Sequence, residues 1–170
     1  MKNVADTTQP YVTQFGAVES TLPGANLPWL AAKRRAGLDR LVTIGLPTTK
    51  TETWKYTRLP VFSDSDFRPV SWEDGQVSVS SSPEFLSGDA NSVRLVYVNG
   101  IIRPELSRFE HLPDGVTVEP FAQTLERDPA FIEAHMGSRE ATYDQGFSAL
   151  NTAMMESGTV FRVAKGVAVK

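Results

Sequence analysis

Five side chains with something to offer a substrate or a partner, Lys50, Glu52, Trp54, Lys55 and Tyr56, stand within seven residues of one another in the stretch GLPTTKTETWKYTRL at residues 45–59. Ordinary helix or strand patterning does not require that crowding. If the segment turns helically, Trp54 and Tyr56 share one broad side and Glu52 places negative charge in the first turn. If it is extended, the two aromatics flank Lys55. A buried tryptophan removes about 150–250 Å² from water, worth several kcal/mol at about 25 cal/mol per Å². Anchored aromatics with a polar edge also recur at protein interfaces. The expectation is a structural joint anchored by Trp54, with partner docking as a second use of the same five residues.

The remaining candidates for chemistry are sparse. His111 and His135 are the only histidines, and neither has a second histidine at the i+3 or i+4 spacing that would put two such ligands on one helical face. Glu110 beside His111 is the nearest temptation, yet a surface or structural role is expected for both histidines ahead of metal binding or acid-base work. Lys33, Arg34 and Arg35 form a basic triplet, with Arg40 further along. A phosphate or acidic-partner site is the sharp reading of the triplet; a solvated helix face is expected instead, because the overall charge is negative.

Several chemistries lack their sequence signature. Cysteine is absent, so this polypeptide alone builds neither a disulfide framework nor a thiolate metal site. There is no G-x-x-x-x-G-K-[ST] phosphate loop, no G-x-G-x-x-G after a strand and no G-x-S-x-G at a strand-to-helix turn. No catalytic residue, cofactor ligand or metal ligand is therefore assigned.

With 170 residues, 41% hydrophobic and 22% charged, the chain can bury a sizeable core. Its 17 basic and 20 acidic residues give a formal charge of −3, short of the basic excess that concentrates a protein on a phosphate backbone. Nucleic acid is a poor default partner. The N-terminal residues are polar, without the apolar core of a signal peptide, and no later run has the length of a membrane span. A soluble cytoplasmic protein, with no membrane partner, is the expectation.

Two helices should position the 45–59 stretch. Tyr11, Phe15, Val18 and Leu22 recur at helical steps after an opening at Pro10 or Tyr11, and Pro23 and Gly24 should end that element. A second helix should start at Pro28, where a first-turn proline loses no hydrogen bond, and run to Ile44 with Gly45 as its stop. Leu27, Leu30, Ala31, Leu38, Leu41 and Val42 are its expected buried side. Gly37 inside it costs about 1 kcal/mol relative to alanine, which points to a close contact or a local irregularity. Together the two make a helical hairpin.

Further on, residues 63–83 read as loop with at most an edge strand at Val77 and Val79. Residues 93–98 are rich in β-branched residues, and Asn99-Gly100 supplies a tight hairpin turn into Ile101 and Ile102. Pro104 keeps the returning strand short. Asp114-Gly115 precedes a strand at 116–119, followed by a helical segment at 120–127 and another with Asp128 as N-cap and Pro129 in its first turn. Tyr143, Phe147, Leu150 and Met154 define a longer amphipathic helix stopped by Gly158. Two short β-rich runs surround Lys165-Gly166. The organisation is α+β. A strand ending at the last residue would lack partners, and natural sheets cover such edges, so the polypeptide is expected to be the front portion of a longer protein.

Taken with YVNG at 97–100, LPDGV at 112–116 and FSALNTAM at 147–154, the GLPTTKTETWKYTRL stretch resembles the SufD branch of the SufB/SufD family of iron-sulfur cluster assembly scaffolds. WKYT at 54–57 is closer to the SufD than to the SufB pattern. The resemblance implies a non-enzymatic subunit that pairs with a SufB-like chain and joins a SufC-like ABC ATPase, the iron-sulfur cluster being handled by the full complex and no cofactor by this fragment. It also implies a helical N-terminal region at 1–62, an α+β region at 63–158, and the start of a right-handed parallel β-helix at 159–170. The family's cluster-building and pairing residues fall in later regions, so none is carried onto a position here. Residues 1–170 alone are expected to bind neither partner. The competing reading is a small stand-alone hydrolase or transferase with an unrecognised site, which would require His111 or His135 to meet a carboxylate and a nucleophile in one pocket.

Overall fold

A computed structural model of the chain describes residues 4–57, 67–69, 92–109, 112–136 and 145–169. The chain divides into two compact units, Met1–Pro69 with Asp128–Met155, and Val70–Arg127 with Glu156–Lys170. Mixed helices and small antiparallel sheets make it α+β, as its patterning predicts.

In the first unit, helix α1 (Val4–Val18) opens well before the expected start, so Pro10 lies inside it. The early turn escaped the apolar pattern because the residue that extends the buried face is polar. Thr8 is 1% exposed and stands three residues before Tyr11, which is itself buried with Phe15. The helix closes at Val18, and Leu22 is buried in the turns beyond it, its N–H donating to the Val18 carbonyl at 3.2 Å.

Helix α2 (Pro28–Ile44) has the expected bounds, with proline in its first turn and Gly45 at φ 74°, whose N–H caps the Leu41 carbonyl. Its buried stripe is Leu30, Arg34, Gly37 and Leu41, at steps of four, three and four. Val42 lies one residue, about 100°, off that stripe and is exposed; Leu27, Ala31 and Leu38 are half-buried.

The α1–α2 hairpin exists, but the closest packing of α2 is against helix α5 (Gly146–Ala153). A Cβ at Gly37 would stand 3.0 Å from the Ala149 carbonyl oxygen, the Ala153 nitrogen and the Thr152 Cβ. Position 37 is thus the close contact its glycine signalled, and two of its neighbours are backbone atoms that cannot swing aside. Gly146 abuts the Gly45 carbonyl in the same way. Two adjoining clusters fill the space between the three helices. Tyr11, Leu41 and Ala149 form one, and Phe15, Leu22 and Ala153 the other, with Leu38 against both.

Helix α5 ends at Ala153 with Met154 as its cap, before the stop expected at Gly158; Tyr143 lies outside the described residues. In helix α4 (Pro129–His135), the Asp128 carboxylate accepts from the Phe131 N–H at 3.2 Å with proline in the first turn, the capping its sequence predicts.

The second unit holds two ladders. Strands β1 (Tyr97–Val98) and β2 (Ile101–Ile102) pair antiparallel around Asn99 at φ 51° and Gly100 at φ 83°, the left-handed pair that a two-residue turn needs. The strand is shorter than residues 93–98 because upstream pairing jumps to an isolated Arg94–Arg108 bridge, and Pro104 opens a 3₁₀ turn, Pro104–Leu106. Strand β3 (Val116–Pro120) follows Gly115 at φ 82° and leads into helix α3 (Phe121–Arg127). It pairs antiparallel with strand β4 (Thr159–Val163), from Val116↔Val163 to Pro120↔Thr159. Only the first of the two terminal β-rich runs is a strand; residues 167–169 form none. The expected loop at 63–83, including Val77 and Val79, lies outside the described residues except at 67–69.

A carboxylate clamp joins β3 to α3. Glu119 accepts from Arg127 Nη1 at 2.5 Å and Nη2 at 2.6 Å, and from Thr124 Oγ1 at 3.1 Å. The Arg127 hydrogen bond holds the Glu119 carboxyl below its ordinary range.

Gly16, exposed in α1, has nothing within 4 Å of a built Cβ, so Gly16→Ala should stabilise by about 0.5–1 kcal/mol. Gly37→Ala should destabilise by about 1–3 kcal/mol through overpacking; thermal melts reporting the same sign for both variants would contradict the seam. A depressed carboxyl pKa contributes stability that is present above the unfolded value, about 4.3, and is lost as pH falls through the folded one. The melting temperature should therefore drop on acidification less steeply in Glu119→Gln than in the parent, and parallel acid limbs would remove the clamp's contribution.

Candidate functional site

The chain leaves α2 at Gly45 and enters two consecutive turns built largely by its own threonines. Thr51 Oγ1 accepts from the Thr48 N–H and Thr48 Oγ1 from the Lys50 N–H, both at 3.2 Å. The Thr51 N–H donates to the Thr48 carbonyl at 2.8 Å. A single 3₁₀ turn follows, Glu52–Trp54, with the Trp54 N–H on the Thr51 carbonyl at 2.8 Å and the Thr57 N–H on the Trp54 carbonyl at 2.9 Å. Glu52 stands in the first turn of this short helix, where a negative charge meets the exposed N–H groups.

The five singled-out side chains part company on this frame. Trp54 is half-buried, its ring 5.4 Å from that of Phe147 at 50° between planes. Such a tilted pair suits the opposed charge of aromatic faces and edges, and it ties the segment to α5. Lys50, Glu52 and Lys55 are exposed, and Tyr56 is 92% exposed with the Lys55 ammonium 5.6 Å from its ring centre. Trp54 and Tyr56 therefore do not share one side.

The basic triplet separates too. Arg35 is a surface residue whose Nε donates to Glu19 at 2.6 Å. Arg34, by contrast, is 1% exposed, which overturns the solvated-face expectation for that residue. Its Nη2 donates to the Pro23 and Met155 carbonyls at 2.8 Å each, joining the α1–α2 connection to the end of α5. Burial lowers its pKa from the ordinary value, and the charge of Glu19 works the other way. Sequence reasoning missed this residue, yet it lies on the stripe set by Leu30, Gly37 and Leu41. A cation at a stripe position was the available signal.

His135 is exposed on α4, stacked on Phe131 with its Nδ1 2.8 Å from the Phe131 carbonyl; His111 lies outside the described residues. Among the described residues no three His, Asp or Glu side chains gather as a metal ion would require. What the arrangement offers is an exposed surface, hydrogen-bonded along its backbone, anchored by one tryptophan and edged by two lysines, a glutamate and a tyrosine.

Comparison with known proteins places the chain in a class. A family model described as the SufBD protein N-terminal region matches residues 5–170. The chain belongs to the SufB/SufD family of iron-sulfur cluster assembly proteins, and within it is SufD-like. It is 28% identical over 141 residues to an iron-sulfur cluster assembly SufBD family protein of Synechocystis sp., a match covering 83% of this chain and 30% of that protein. It is 31% identical over 121 residues to the iron-sulfur cluster assembly protein SufD of Escherichia coli, covering 61% of this chain and 28% of that one. The matched segment thus spans less than a third of either relative. No solved structure matches the chain.

The anchor and the display should separate experimentally. Trp54→Ala should lower stability by about 1–3 kcal/mol, as expected for truncating a half-buried aromatic, while Tyr56→Ala should stay within about 0.5 kcal/mol. Urea midpoints check both, and a large loss for Tyr56→Ala would mean that its ring packs in solution.

Proposed function

We propose that this chain is the N-terminal part of a non-catalytic scaffold subunit of an iron-sulfur cluster assembly complex, which acts in the full-length protein with a SufB-like subunit and a SufC-like ABC ATPase in the cytoplasm. The observation that carries the reading is the family match over residues 5–170, together with the similarity to SufD. The geometry is compatible with it. The most chemically varied segment of the chain is pinned by Trp54 and by threonine turns, an arrangement that fixes position and leaves polar side chains on display. In this reading the cluster is cargo of the complex, and this region holds no cofactor of its own. The entrance to a right-handed parallel β-helix at 159–170 belongs to the same proposal; the first residues of that stretch, strand β4, pair antiparallel with β3.

Native purification of the full-length protein from its own cells tests the reading. A SufB-like chain and a SufC-like ATPase should co-purify in fixed proportion, and loss of both under gentle, low-salt conditions would overturn it.

A further inference from the structure

Tyr56 keeps 92% of its surface in water, whereas the next most exposed large apolar or aromatic side chain described, Phe161, keeps 49%. A ring so placed adds little to the fold. Its backbone is nonetheless held on both sides: the Lys55 N–H donates to the Glu52 carbonyl at 3.3 Å, the Thr57 N–H to the Trp54 carbonyl at 2.9 Å, and Trp54 is fixed on Phe147. An aromatic on a hydrogen-bonded turn costs little further backbone ordering when it is covered, which is the condition under which tyrosine becomes a binding anchor.

The charges beside it are equally directional. Within residues 48–57 the charged side chains are Lys50, Lys55 and Glu52, all exposed. This stretch is therefore net positive in a chain whose formal charge is −3. The Lys55 ammonium lies 5.6 Å from the Tyr56 ring centre, so cation and aromatic are presented together. A complementary surface supplies carboxylates to the two lysines and an apolar or proline side chain to the ring. A nucleic-acid backbone would also satisfy the lysines, but the acidic balance of the chain disfavours it.

We infer that Lys50, Lys55 and Tyr56 form a docking edge for an acidic segment of a protein partner in the assembly complex. The inference rests on the scaffold reading above and gives that reading a contact surface in this region, with Trp54 as its internal support.

Site-specific photocrosslinking in the full-length protein tests it. With Tyr56→p-benzoylphenylalanine, irradiation in native cells should trap the ring against one of the co-purifying chains, at a peptide rich in Asp or Glu. In parallel, Lys50→Glu with Lys55→Glu should lower recovery of that chain by about thirtyfold, the size of a hot-spot loss, without changing the melting temperature of the purified protein. Raising the salt should weaken the parent contact and relieve the repulsion in the charge-reversed one, so that the gap in recovery between them narrows. Partners that co-purify without any crosslink at position 56, or a crosslink to a basic peptide or to nucleic acid, would overturn the docking edge while leaving the scaffold reading intact. Absence of both partners from the parent protein would overturn the scaffold reading, and the docking edge with it.

Discussion

The backbones of α2 and α5 approach as closely as they do only because position 37 carries no Cβ. Any side chain there would meet the Ala149 carbonyl oxygen and the Ala153 nitrogen at 3.0 Å. The residues around the seam obey the same limit: Ala149 and Ala153 are fully buried and small, and Gly146 faces the Gly45 carbonyl one turn earlier. Because interiors are packed as densely as crystals, such a contact cannot be widened locally without disturbing what lies beside it. Leu41, Tyr11 and Phe15 fill the rest of the space, and the seam sets where the chain leaves α2. Phe147 follows Gly146 directly, so the glycine contact that positions Gly45 also positions the ring on which Trp54 rests.

Much of this framework could be read from residue types, and the failures share a cause. The bounds of α2, the Asn99-Gly100 turn and the Asp128-Pro129 helix start all rest on local backbone chemistry, a first-turn proline, a left-handed pair or a capping carboxylate, and local chemistry is visible in sequence. Thr8, Arg34 and the end of α5 were not, because each depends on what packs there. Thr8 is a polar residue on a buried face, and Arg34 is a cation whose hydrogen bonds go to carbonyls of Pro23 and Met155, the second of them 121 positions away. Strands near 116–119 and 159–163 were both legible, but their pairing was not, since a ladder that opens between Pro120 and Thr159 joins distant parts of the chain and leaves no local mark. At the candidate site, the crowding of Lys50 through Tyr56 was evident in the sequence. The split between an inward Trp54 and an outward Tyr56 was not, because one 3₁₀ turn redirects side chains in a way that neither helix nor strand periodicity describes.

Arg34 shows how unlike in cost the members of one basic triplet can be. Arg35 makes its ion pair at the surface, where such pairs contribute little. Arg34 brings a charge into the interior with backbone carbonyls as its hydrogen-bond acceptors among the described residues, an arrangement that fixes geometry: one guanidinium reaches two separate connections from one point. For a region belonging to a family of assembly proteins, fixed geometry is the property such a group supplies best. The Glu119–Arg127 clamp has the same character in the other unit, joining a strand to the helix that follows it.

The order of elements along the chain adds a constraint in time. Helix α5 emerges from the ribosome roughly a hundred residues after α2 is complete, which at about 5–20 residues per second amounts to some 5–20 s of synthesis. Throughout that interval the face bearing Leu30, Gly37 and Leu41 has α1 beside it and no α5 to close against, while the whole of β1, β2 and β3 is being made. The nascent chain must keep that bare helical surface from finding a wrong neighbour until Gly146–Ala153 arrives. The glycine seam serves discrimination here, because it admits a helix as slim as Gly146–Ala153 and is too shallow for a bulkier one that comes first.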